Sequence, residues 1–348
     1  MTDPRTLERA VQRLDVWRAP VTTPVTPQGT YKEWMHFCIR LPEFAHGHLI
    51  VNLSFMERVL PAGTVRVPRV TVLAHTDRWR GRIESIEAKA VHAEPGSCDI
   101  RLGTVELRFR EGHFLLTVRS PELDADLRLI PAVLPTVRST VVLGPGSAMH
   151  WVAVSYLKTS GAVRMHGRRI EVADAPTYHD HNWGHFRWGS DLAWEWGFAH
   201  AGGSPADYTV VFIRVSDGSR HRTLSQGALL WQRGEHRRTF HDREIRVASS
   251  GTFCCERPLT VPGPMGLLAP GAASGVPAKF SMAAADGVDQ LEIEFEPTAI
   301  ARIAMPSEVD DSRVVLLNEA AGRALVRGRL GGENFQFDSS SVVEFVRG

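Results

Sequence analysis

Between Tyr178 and Gly197 the sequence reads Tyr178-His179-Asp180-His181-Asn182-Trp183-Gly184-His185-Phe186, then Trp188 and Trp194-Glu195-Trp196-Gly197. Imidazoles, carboxyls, an amide and indoles so close together combine groups that hold or release protons with groups that wall off an apolar ligand. Side chains alternate along an extended chain, so His179, His181 and Trp183 share one face, with Tyr178, Asp180 and Asn182 on the other. Trp194 and Trp196 likewise share a face. Such a cluster can protonate an apolar substrate or stabilise charge on it. His-x-His on a strand also presents two imidazoles together, and His185 or Glu33 could complete a metal site. Strand pairs of histidines are also often simply hydrogen-bonded, so no metal is assigned. A plainer reading has Asp180 pair with a neighbouring histidine or turn amide and pin a domain junction.

The elements that must position these groups read mostly as strands. Asp3 can cap a short helix with Pro4 at its first position and Leu7, Val11 and Leu14 on one face. After Pro20, runs rich in Val, Ile, Leu, Phe and Thr recur between Gly, Pro, Asn and Asp, and several alternate apolar with polar residues, as in Val105-Glu106-Leu107-Arg108-Phe109. Val314 to Val326 is an ambiguous window with fair helix propensity. Many short strands with turn signals between them imply sandwiches or antiparallel barrels. The expected domains are 1–190 and 191–348, two strand-rich halves flanking the histidine-rich segment, packed together and related by a degenerate duplication.

Composition removes other classes. With 348 residues, 40 Lys+Arg, 39 Asp+Glu and 43% hydrophobic residues, the chain is too apolar and too charge-balanced to be disordered. It also lacks the basic excess that nucleic acid or an anionic membrane would require. Cys38, Cys98, Cys254 and Cys255 form no disulfide framework, and no secretory signal is visible at the N-terminus, so a cytoplasmic protein is expected. The uncharged stretch 258–278 holds nine Pro or Gly residues, which reads as a long loop or a lid rather than a transmembrane span. Gly144–His150 matches no phosphate loop. Exposed strand edges would permit a homodimer, though nothing requires one.

The segment YHDHNWG followed by WxWG resembles the signature of the carotenoid 1,2-hydratase (hydroxyneurosporene synthase), or AttH-like, lipocalin-like superfamily. Glu33-Trp34 in YKEWMHF is similar to that family's Glu-Trp-Trp-Tyr segment, from which Met35 and His36 depart. The resemblance implies an all-β chain of two lipocalin-like antiparallel barrels packed side by side. It also implies chemistry without a cofactor on an apolar, olefin-bearing small molecule (isoprenoid, prenylated or polyketide-like) held at the junction of the barrels. Activities in the family include hydratases, which are lyases, terpene-type cyclases and Diels–Alderases, and the fold does not select among them.

For hydration or cyclisation, an acid protonates the alkene to a carbocation that tryptophan faces stabilise. Asp180 is the first choice for the acid, because desolvation among aromatic side chains holds a proton on a carboxyl. Adjacent cationic histidines oppose this, which leaves His179 and His181 as alternative donors. Tyr178 and Asn182 would position water or a carbonyl, while Trp34, Trp183, Trp194 and Trp196 would line the pocket. Glu33 and Glu195 are reserve carboxylates. In a pericyclic reaction, hydrogen bonds from Tyr178, His179 or Asn182 would polarise the substrate. The remaining alternative is a carrier of an apolar ligand that performs no chemistry.

Overall fold

The structure is a computed structural model that describes residues 3–18, 30–60, 63–144, 147–189, 192–203, 206–268, 275–310 and 312–347. The chain forms two compact units. The first comprises residues 1–43, 48–74 and 80–187, and the second 44–47, 75–79 and 188–348. The opening helix α1 (Pro4–Leu14) starts where expected, with the Asp3 carboxylate accepting from the Arg5 amide and Val11 fully buried.

The strands of the first sheet are β1 (Tyr31–Arg40), β2 (His48–Leu60), β3 (Gly63–His75), β4 (Trp79–Ser85), β5 (Val91–Ala93) and β6 (Ile100–Leu102). They continue with β7 (Val105–Arg110), β8 (His113–Arg119), β9 (Leu123–Pro131), β10 (Thr136–Gly144), β11 (Ser147–Met165) and β12 (Arg168–His185). Their order is β4-β3-β2-β1-β12-β11-β9-β8-β7-β6-β5, with β10 paired to β11. Alternation shapes these strands directly: in β9 every odd residue from Leu123 to Pro131 is buried. β6 and β7 form a hairpin around Gly103, whose φ of 60° suits glycine. Inside the unit Phe114 meets Phe37 edge-on, with centroids 5.6 Å apart, and Phe109 at a tilt, with centroids 4.7 Å apart.

The second sheet holds β13 (Leu192–His200), β14 (Tyr208–Asp217), β15 (Thr223–Gln232), β16 (Glu235–His241) and β17 (Ile245–Ser250). It continues with β18 (Leu259–Val261), β19 (Lys279–Ala285), β20 (Gln290–Pro306), β21 (Val314–Leu330) and β22 (Glu333–Arg347). The order is β16-β15-β14-β13-β22-β21-β20-β19-β17, with β18 parallel to β20. Its core gathers Phe212, Phe280, Phe295 and Phe345 with Leu291, Ile293 and Val326.

In both sheets four strands run in reverse order to the first strand of the unit, which then pairs with the last: β1 with β12, and β13 with β22. This shared order is what a degenerate duplication leaves behind. The structure settles one window that the sequence left open and corrects one expectation. Val314–Val326 lies within a strand, because β20 and β22 saturate its backbone on both sides while burying Val315, Ala320, Ala321, Ala324 and Val326. Stretch 258–278 is not one loop. Leu259–Val261 has the composition of a strand and pairs with Ala301–Ile303, and a short helix, α2 (Gly263–Leu268), follows. Residues 269–274 lie outside the described residues, and with them much of the expected lid. No helix of the described residues is long and apolar enough to cross a membrane.

Candidate active site

The signature segment is the second half of β12, between β1 and β11. Facing β1, it pairs Phe37 with His179, Met35 with His181 and Glu33 with Trp183, interleaved with Cys38–Tyr178, His36–Asp180 and Trp34–Asn182. Facing β11, Ala153 opposes Asp180 and Trp151 opposes Asn182. Directly opposed residues of an antiparallel pair share a face. The register therefore sorts the signature into the two sets expected from alternation, and gives each set different neighbours. Gly184 closes the segment where β11 leaves no room for a side chain, since a Cβ there would sit 2.2 Å from the Ala148 carbonyl oxygen. Gly184→Ala should destabilise the protein by about 1–3 kcal/mol. A thermal melt checks this, and an unchanged midpoint would contradict the packing described.

On the first face, the segment after α1 brings in a carboxylate that sequence reasoning missed. Asp15, fully buried, lies 2.7 Å from His179 Nε2 and 3.1 Å from His181 Nδ1, and His181 Nε2 reaches Glu33 Oε1 at 3.0 Å. His179 Nδ1 donates to the His36 carbonyl at 2.9 Å, and its ring stacks on Phe37 at 4.0 Å. Each of these four hydrogen bonds needs one proton. Four protons shared among the two imidazoles and two carboxyl groups supply all four and leave the cluster with no net charge. Burial alone would raise the Asp15 pKa, but His179 and His181 hold it well below the usual carboxylate range. Burial works against the charged form of His181, yet Asp15 and Glu33 prevail and raise its pKa.

Glu33 also accepts from the Tyr31 hydroxyl at 2.9 Å and the Arg18 amide at 2.7 Å. Burial and this carboxylate push the Tyr31 phenol far above its ordinary pKa. Trp17 packs edge-on against Phe55, and the Arg18 guanidinium lies 4.3 Å from the ring centroid of Trp183. Residues 11–18 thus plug this face with a closed polar network. The indole of Trp183 belongs to it.

The opposite face carries Asp180, which is 5% exposed. Its carboxylate accepts from Asn182 Nδ2 at 2.8 Å on one oxygen, and from the Tyr178 hydroxyl at 3.0 Å and Trp151 Nε1 at 3.2 Å on the other. Burial pushes its pKa up to about 6, against the opposing charge of His179 and the three hydrogen bonds. A carboxyl of this kind exchanges a proton near neutral pH. Trp34 lies on the same face, opposed to Asn182, and packs against Phe186 at 6.2 Å. Trp151 was not singled out from sequence, although it stands directly across β11 from the signature.

The remaining sequence candidates fall in the second unit. Glu195 is fully buried among Arg347 at 2.9 Å, Arg220 at 3.0 Å and Arg214 at 3.4 Å. It begins a Glu-Trp pair on β13 just as Glu33 does on β1, and both carboxylates are bonded to a cation on the last strand of their sheet, His181 or Arg347. Glu195→Gln should lower stability by about 1–3 kcal/mol, a value that allows for the part-exposed arginines, and a denaturant titration reads it. Trp194 Nε1 donates to Glu344 and its ring packs 5.1 Å from that of Trp188, while Trp196 packs 5.9 Å from Phe198. No three His, Cys, Asp or Glu side chains among the described residues are arranged to hold a metal ion. A cavity of about 330 Å³ lined by His92, Asp99, Ile100, Arg101, Glu106, Leu107, Arg108 and Arg110 involves none of these groups.

No family model matches the sequence, and no curated protein matches it closely enough to be counted as similar. Solved structures do match over nearly the whole chain. A protein of Nitrosomonas europaea provisionally assigned as an AttH has a TM-score of 0.64 at 13% identity, over 94% of this chain and 98% of that one. Kievitone hydratase of Nectria haematococca gives 0.58 at 12% identity, over 95% and 96%. CghA in complex with Sch210972 gives 0.59 at 11% identity, over 97% and 96%. At such identities the likeness is one of fold. The chain shares its all-β fold with the Nitrosomonas protein, kievitone hydratase and CghA.

Proposed function

We propose that this protein is an enzyme that protonates the double bond of an apolar olefinic small molecule, leading to hydration or cyclisation, with Asp180 as the proton donor. The observation that carries the reading is the state of Asp180, a buried carboxyl held by three donors with its pKa pushed up to about 6. Transfer of that proton to the alkene leaves a carboxylate already met by Tyr178, Trp151 and Asn182, so charge appearing on Asp180 in the transition state finds its donors in place. The indoles of Trp151 and Trp34, on the same face, are the aromatic surface available to a carbocation.

His179 and His181, the alternative donors, are committed to Asp15 and Glu33 on the other face, which favours Asp180. In this reading Glu33 and Trp183 support the fold of the site rather than touch substrate, and Glu195 does the same within its own sheet. The hydratase among the fold relatives supports the reaction class, and the substrate is expected to carry an isoprenoid-type or other electron-rich alkene.

The test is incubation of the purified protein with prenylated phenols and polyenes in deuterated water, followed by mass spectrometry. Deuterium on a former alkene carbon in wild type, absent from D180N, is the expected result. Deuterium incorporation by D180N at the wild-type rate would remove Asp180 as the donor, and saturable binding without incorporation would favour a carrier.

A further inference from the structure

One end of the first sheet carries positive charge that the proposed reaction does not use. Phe55, Glu33, Trp183 and His150 stand directly opposite one another across β2, β1, β12 and β11, so they form one row of side chains on the face away from Asp180. Tyr31 lies two residues before Glu33 on the same face. Two guanidiniums sit over these rings. Arg18 lies 4.3 Å from the Trp183 centroid, and Arg66 lies 5.3 Å from that of Phe55 and 5.7 Å from that of Tyr31. Tyr31 and Phe55 are buried, whereas Trp183, His150 and Arg18 are half-buried and Arg66 is exposed, so solvent reaches the charged groups.

Neither guanidinium has a carboxylate partner among the described residues. Arg18 Nη2 donates to the Leu14 carbonyl at 2.7 Å, and the contacts of Arg66 are with its two rings. The nearby carboxylates are committed elsewhere: Glu33 to His181, Tyr31 and the Arg18 amide, and Asp15 to His179 and His181. Two buried donors adjoin these cations. Trp17 is 2% exposed and meets the same Phe55 ring at 5.3 Å, yet its indole Nε1 has no hydrogen-bond partner among the described residues, and neither has Arg18 Nε. Buried donors without acceptors are costly, and two of them on adjoining residues, beside two unbalanced cations, call for an acceptor with negative charge. Both cations act on the Tyr31 phenol, where they oppose burial and the Glu33 carboxylate. Burial and the charge of Arg18 lower the His150 pKa, so this ring, stacked on Trp183 at 5.3 Å, is neutral and flat.

We propose that this end of the first sheet is a binding site for an aromatic carboxylate, held by Arg18 and Arg66. The site is separate from Asp180 and does not rest on its acid reading. A guanidinium that lies over a ring keeps its N–H edge for an acceptor, and that edge matches a carboxylate through two parallel hydrogen bonds. Trp17 Nε1 and Arg18 Nε supply further donors. The half-buried rings of Trp183 and His150 offer a surface to the flat apolar body of the ligand. An inorganic anion would use the cations and leave the rings unused, and a neutral aromatic molecule would do the reverse. Trp17 and Arg18 also belong to the segment that plugs this face, so an occupant would pin the plug and raise the thermal midpoint by mass action.

The test titrates the full ¹⁵N-labelled chain with benzoate, and in parallel with benzyl alcohol and inorganic phosphate, while NMR follows the indole and guanidinium N–H signals. The signal missing from W17F identifies the Trp17 indole, and R18Q identifies Arg18 Nε in the same way. Benzoate is expected to shift both signals saturably and to bind about ten-fold or more tightly than either control. R66Q alters an exposed side chain and should keep the fold while weakening benzoate by about ten-fold or more, the loss of one charge-assisted hydrogen bond. R18Q should weaken it similarly. Absence of a saturable shift, or benzoate affinity unchanged in both R66Q and R18Q, would overturn the site. Loss of the shifts in D180N would place benzoate on the Asp180 face and overturn it as well. Phosphate binding as tightly as benzoate would overturn the aromatic class of ligand, and benzyl alcohol binding as tightly would overturn the role of the two arginines.

Discussion

Asp180→Asn should reduce turnover on an alkene substrate by a factor of about 10² to 10⁴ while leaving substrate affinity within a few-fold of wild type. The carboxamide keeps the shape of the side chain and still accepts from Tyr178 or Trp151, but it has no proton to deliver. Stability should move the other way. Raising a buried carboxyl from its ordinary 3.8 to about 6 costs the native state about 3 kcal/mol at neutral pH. The sign follows from linkage: the folded pKa lies above the unfolded one, so the protonated form stabilises the native state, and the penalty grows as pH rises from about 4 to 6. D180N removes the ionisation, so its thermal midpoint at pH 7 should equal or exceed that of wild type. Lost activity with a lowered midpoint would instead point to a structural role for this carboxyl.

Asp15→Asn is expected to have the largest effect on folding. It removes the carboxylate shared by His179 and His181, two histidines less than 2% exposed, which leaves His179 without its carboxylate partner and His181 with Glu33 alone. Breaking a buried pair in this way costs about 3–5 kcal/mol. The pH dependence carries a signature. The Asp15 pKa is lowered in the folded state, so its contribution is complete above about 4 and fades as acid brings the pH down through its native value. The His181 pKa is raised, so its contribution is complete below about 6.5 and fades as pH rises through its native value. The stability difference between wild type and D15N should therefore be greatest between about pH 4 and 6.5 and shrink at higher pH. Urea titrations at several pH values measure it. A difference independent of pH, or below 1 kcal/mol, would contradict the network.

Much of this arrangement is legible in the sequence because it depends on alternation. The division of the signature into His179, His181 and Trp183 against Tyr178, Asp180 and Asn182 follows from strand geometry alone, as does the buried pattern of β9. The direction of the Asp180 shift is also legible, since a carboxyl among aromatic side chains must lose hydration. Partners brought in from a distance are not. Asp15 lies 164 residues from His179 and follows a helix, where it reads as an ordinary turn residue. Its local signal was a carboxylate set between Leu14 and the apolar Val16-Trp17.

His36 could be noticed only as a departure from the Glu-Trp-Trp-Tyr pattern until the β1–β12 register placed it opposite Asp180. Trp151 needed the β11–β12 register in the same way. Val314–Val326 was ambiguous because its helix propensity competes with pairing on both edges, and nothing local to the window reveals those edges.

The most direct measurement of the central claim is the protonation of Asp180 itself, read from its ¹³C carboxyl shift in wild-type protein with D180N to assign the resonance. A midpoint near pH 6 is the expected result, with a protonated carboxyl present at pH 5. A midpoint below 4 would mean that Asp180 is a permanent carboxylate at physiological pH, which would contradict its role as the acid.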